Sequence, residues 1–144
     1  MQNPPPVQMS SQPPVQIAKS STGLDENVAA LLSYVFGWVS GLIFFLIEKE
    51  SRLVRFHAMQ SLLLNVAGAI IGIALWFLSL ISWIVLAQIS GIISFIVSML
   101  VGLVAMVLGI GLLIGVIICL IKAYQGQYFK LPVIGNMAEK FSAK

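Results

Sequence analysis

The sequence predicts an all-α integral membrane protein, a helical bundle of three transmembrane helices with an amphipathic connection on the cytoplasmic side. Three observations predict it. With 59% apolar residues, only 9% charged ones and a mean hydropathy of +1.01, the chain lies outside the range of soluble globular domains. Residues 58–121 hold no Asp, Glu, Lys or Arg, and as one helix they would rise about 96 Å, roughly three hydrocarbon thicknesses. The stretch from Glu48 to Asn65, EKESRLVRFHAMQSLLLN, is the one place where charge interrupts the apolar sequence, and it divides two blocks too long and too uncharged for a soluble core.

Residues 1–22 hold five of the six prolines and a single charge, Lys19, a composition that buries too little surface to offset ordering entropy. A disordered Pro/Gln-rich tail is expected there, ahead of a membrane domain over residues 23–141. The first span is expected over residues 26–47, after Asp25 and Glu26, which suit a helix start. Its 22 residues would rise about 33 Å, enough to cross. Within it Gly37 and Gly41 share a face with Ser33, a surface that lets another helix backbone approach closely.

The charge-free run must fold back, and Ala87-Gln88-Ile89-Ser90-Gly91 is the best break, with Trp83 one turn earlier as an interface anchor. That predicts spans over residues 59–86 and 92–124. Gly68 and Gly72 in the one and Gly111 and Gly115 in the other continue the small-residue packing pattern. A basic interfacial segment, residues 125–144, follows: Gly126 and Pro132 stop the helix, and residues 136–141 can form a short helix with Met137 and Phe141 on one side.

With three spans, Lys19 stands alone on one side against seven basic residues on the other, so the central connection and the C-terminus are expected in the cytoplasm. A fourth span, from breaks near Ser82 and Leu100, is the alternative and gives a weaker charge bias. Arg52 and Arg55 are expected at anionic lipid headgroups, with Glu48 pairing with Arg52 at one helical turn. His57, Gln60, Ser61 and Asn65 share a helical face, either as contacts to neighbouring helices or as a polar path or substrate contact, and with Arg52 and Arg55 they are the candidate lipid or partner contacts. No catalytic, cofactor-binding or metal-binding grouping is legible, and a lone histidine without Asp, Glu or Cys nearby is a poor metal site and a poor general base. Cys119, within an apolar run, reads as a small core residue. The expected partners are the lipid bilayer, membrane proteins or a second copy, and no basic face suits nucleic acid.

The motif Arg55-Phe56-His57-Ala58-x-Gln60-Ser61 after the first apolar block is joined near the end by Ala123-Tyr124-x-Gly126 and Leu131-Pro132-x-Ile134-Gly135. In this combination the chain resembles a family of small uncharacterised prokaryotic multi-pass membrane proteins, distantly similar to the Tic-twenty component of chloroplast import. The resemblance covers about residues 23–141. It implies the prokaryotic plasma membrane, a translocation analogy, and four helices with both termini on one side. Two function classes follow from the residues: a structural or interaction component of a membrane complex, and a minimal transporter or channel. An enzyme is not expected.

Overall fold

The computed structural model describes residues 18–142, so the first 17 residues of the expected tail lie outside the described residues. Five helices follow in order: α1 (Glu26–Val35), α2 (Trp38–Ile47), α3 (Arg52–Ala87), α4 (Gly91–Tyr124) and α5 (Ile134–Ser142). α3 and α4, of 36 and 34 residues, are long and apolar enough to cross a membrane. They run antiparallel about the tight connection at residues 88–90, where the sequence places the break, with Gln60 beside Cys119 and Gly68 beside Leu112.

The first apolar block is not one continuous helix. It breaks at Phe36 and Gly37 into two ten-residue helices, each about 15 Å long and half of a hydrocarbon core. α2 turns back on α1, so that its end returns to α1's beginning: Glu26 Oε2 accepts from the Ser51 hydroxyl at 2.9 Å, and Ser21 reaches Glu48. Gly37 makes the turn with φ +60° and ψ −126°, a mirror-β conformation open to glycine and closed to L side chains. The freed backbone groups find partners within the chain. Ser40 Oγ accepts from the Phe36 amide at 3.1 Å and donates to the Ser33 carbonyl at 3.0 Å, and Ser61 Oγ on α3 donates to the Gly37 carbonyl at 3.2 Å. Such satisfaction is what permits irregular backbone away from water.

The hairpin packs against the first third of α3. A Cβ at Gly41 would lie 3.0 Å from the Ala58 carbonyl and 3.3 Å from Ser61 Cβ, so the close backbone approach expected of that glycine is present. Two buried clusters result. Ala29, Ala30 and Tyr34 of α1 meet Leu53 and Val54 of α3 and Cys119 and Ala123 of α4, while Phe56 and Met59 meet Ala138 of α5. α5 buries Gly135, Ala138 and Ser142 and turns Met137 and Phe141 outward, the sidedness its sequence predicts. Beyond Leu64, α3 and α4 continue as a hairpin whose apolar side chains are largely exposed.

The small-residue seams divide accordingly. A Cβ at Gly68 or Gly115 would make ordinary contact with Leu112 or Leu131, whereas one at Gly72 or Gly111 would meet nothing within 4 Å beyond its own helix backbone. Those two positions do not pack helices within the chain, because the partner helix meets α3 and α4 along other faces. Gly111 instead floors an apolar groove of about 360 Å³ with Leu64, Val107 and Pro132.

Candidate functional site

A buried polar core sits where α1, the start of α3, the end of α4 and residues 127–129 converge. His57 is fully buried between Tyr34, whose hydroxyl lies 3.1 Å from Nδ1, and the Gln127 carbonyl, 3.1 Å from Nε2. A carbonyl can only accept, so Nε2 carries a proton; in the neutral ring Nδ1 then accepts from the Tyr34 hydroxyl. One turn on, the two amide hydrogens of Gln60 go to the Phe129 carbonyl and to Cys119 Sγ, both at 3.1 Å. Gln60 Oε1 has no partner among the described residues. Ser61 and Asn65 finish the row: Ser61 holds the tip of the α1–α2 hairpin, and Asn65 Nδ2 donates to the Ser61 carbonyl at 2.9 Å.

Of the two readings of this row, contacts to neighbouring elements describe three of its residues. His57, Gln60 and Ser61 present no surface, and apart from Gln60 Oε1 their polar atoms are bonded to the chain's own atoms, as a buried polar group left unpaired costs about 1–3 kcal/mol. Only Asn65 is half exposed, in a side cleft with Trp38, Leu62 and Val66. The arrangement can hold three elements in register and orient a tautomer. Among the described residues no three His, Cys, Asp or Glu side chains gather as a metal site would need.

A second polar centre lies at the foot of the hairpin. Glu48, fully buried, accepts from the Ser21 amide and hydroxyl and from the amides of Glu50 and Ser51, at 2.7 to 3.1 Å. Burial alone would push its carboxyl up, but the Ser21 hydroxyl and the Ser51, Glu50 and Ser21 amides outweigh this and hold it below the ordinary carboxylate value. Glu48 is therefore not paired with Arg52: the Lys130–Glu139 ion pair, 2.8 Å, is the one found among the described residues. Arg55 lies over the Phe45 ring and donates to the Glu48 carbonyl at 3.3 Å, so it braces the fold more than it faces solvent. Arg52 is exposed and lines a groove of about 280 Å³ with Phe56, Tyr128, Glu139 and Ser142.

The sequence does not single out Tyr34, Ser21 or the carbonyls of Gln127 and Phe129, and it shows Cys119 as a small core residue but not as a partner of Gln60. No local spacing shows them, because their partners are 23 to 70 residues away. One signal exists: the motif with His57 and Gln60 and the closing motifs around Tyr124 and Leu131 occur together. The structure joins them, through His57 to Gln127 and Gln60 to Phe129.

Comparison with known proteins now adds a family. The model of the MamF/MmsF family, described as the magnetosome magnetite crystal formation protein family, matches residues 24–138. The chain belongs to that family. A UPF0132 membrane protein of Methanocaldococcus jannaschii is 44% identical over 126 residues, covering 88% of this chain and 96% of the relative. A UPF0132 membrane protein of Archaeoglobus fulgidus is 38% identical, with 81% and 95% covered, and a second from M. jannaschii is 36% identical, with 83% and 71% covered. These relatives bear out a small membrane protein family of prokaryotes whose names carry no activity. They do not bring in the chloroplast import component. No solved structure matches the chain.

Proposed function

We propose that the chain is a multi-pass structural or interaction component of a prokaryotic plasma membrane: two full spans, α3 and α4, beside a hairpin that enters the bilayer and returns. The single observation that carries this reading is how the polar residues are used. His57, Gln60 and Ser61, the groups a conducting path would draw on, are fully buried and bonded to Tyr34, Cys119 and main-chain carbonyls. What remains outward is apolar helix surface on α3 and α4, suited to lipid, another membrane protein or a second copy. The magnetite description belongs to the family model and the import analogy to the motif resemblance. Neither is needed for this reading.

A minimal transporter is the second reading, and one observation favours it. The Ser94 and Ser98 hydroxyls, one turn apart on α4, are buried and have no partner among the described residues, as unspent polar groups on a route would be.

Liposome flux and stability on the same preparations test the pair. Under the structural reading wild type passes no ions or small solutes, and Gln60→Met lowers the melting temperature in detergent. Robust wild-type flux, abolished in an equally stable Ser94→Ala/Ser98→Ala variant, would establish the transporter instead. Co-purification in mild detergent then identifies what the apolar surface meets.

A further inference from the structure

We propose that the groove at the foot of α3 binds the phosphate of a phospholipid headgroup, with Arg52 as its charged contact and Tyr128 as its second donor. Two donors line this cavity without a partner among the described residues: the Arg52 guanidinium, which makes no ion pair or hydrogen bond, and the Tyr128 hydroxyl. A guanidinium fork and a phenol fit phosphate oxygens, since hydrogen bonds to an ionised acceptor are the strong ones. The carboxylates nearby are already engaged. Glu139 pairs with Lys130 at 2.8 Å, and Glu26 accepts from the Ser51 hydroxyl at 2.9 Å. Phe56 and Tyr128, with ring centroids 5.4 Å apart, give the groove an aromatic wall.

Position selects a lipid over a soluble phosphoester. Lys19, Lys49, Arg52, Arg55, Lys122, Lys130 and Lys140, every basic residue among those described, lie at this end of the molecule, and the connection at residues 88–90 has none. That asymmetry places the groove in the cytoplasmic headgroup layer. Beside it α5 turns Met137 and Phe141 outward, apolar side chains of the kind that enter the acyl boundary. A phosphate on Arg52 thus has acyl-compatible surface beside it.

The inference rests on that placement, which a reporter fused after Lys144 checks without touching the groove. The site itself is tested on the full chain in neutral mixed micelles, titrated with phosphatidylglycerol and read by native mass spectrometry at physiological salt. Arg52→Gln should bind about tenfold more weakly, the loss of one charge-assisted contact. Lys49→Gln, with the same change in net charge but outside the groove, should change binding about twofold or less, because exposed charges are screened. Should Arg52→Gln fail to fold, Tyr128→Phe carries the test, with about a threefold loss expected. Equal losses for Arg52→Gln and Lys49→Gln, or unchanged binding in Tyr128→Phe, would overturn the site. Displacement of the lipid by glycerol phosphate at equal concentration would overturn the lipid and leave a soluble phosphoester as its ligand.

Discussion

Glu48 is the residue on which the foot of the fold depends, and its chemistry gives a pH test. A carboxylate held below its ordinary value contributes stability that is complete above its unfolded value and is lost as pH falls through the folded one. Wild type should therefore lose melting temperature as pH drops below the ordinary carboxylate range. Glu48→Gln should be less stable at pH 7 by about 2 kcal/mol, since an amide cannot accept four donors as an anion does, and its acid slope should be shallower. Glycines give a second contrast. Gly41→Leu should cost about 3 kcal/mol or more, the upper range of overpacking, because the Ala58 carbonyl cannot retreat. Gly72→Leu should leave detergent stability unchanged, because the space beside it is open. The sequence shows each glycine in a small-residue stripe of its own helix, and nothing in it tells the packed one from the open one. That distinction comes from where α2 crosses α3. His57 and Gln60 were legible as polar residues on one face, but their partners were not, because main-chain carbonyls carry no side-chain signature.

At the scale of elements, the long helices and their connection were readable because a charge-free run has to turn where polar and flexible residues gather. The α1–α2 hairpin was not. Twenty-two mostly apolar residues satisfy the length of a span equally well as one helix or as two halves, and hydropathy does not report direction. Gly37 looks like a packing residue until Ser40 and Ser61 are seen to hold the opened backbone around it. The turn into α5 is strained in a comparable way. Val133 sits at φ +66° at the centre of a γ-turn closed by the Ile134 amide on the Pro132 carbonyl, at 2.8 Å, a conformation unfavourable for a β-branched residue. Val133→Gly should therefore raise stability by about 1 kcal/mol in thermal unfolding, because it keeps the turn and removes the side-chain clash. A lower melting temperature would show that exposed Val133 contributes more through apolar contact than its backbone costs.

For the whole molecule, the direction of α2 decides the topology. A single first span puts Lys19 opposite the connection at residues 48–51, whereas the hairpin returns the chain to its starting side. Ser21 bonds Glu48, and Gln127 bonds His57, so residues 18–25, 48–51 and 125–131 all lie at one end. The charge asymmetry becomes complete among the described residues, which is a stronger orientation signal than the seven against one of three spans. Three arrangements then make different predictions for impermeant labelling of single cysteines in a Cys119→Ser background. Three spans put the N-terminus opposite both Lys49→Cys and the C-terminus. Four spans put both termini opposite Lys49→Cys. Two spans with the hairpin put a reporter before Met1, Lys49→Cys and a reporter after Lys144 all in the cytoplasm, with Gln88→Cys alone reached from outside. Labelling of Lys49→Cys from the outside, in cells whose termini both report cytoplasmic, would reject the hairpin and require a second full crossing before α3. Labelling of Gln88→Cys alone would confirm that a block long enough to span turns back, at Gly37, before it does.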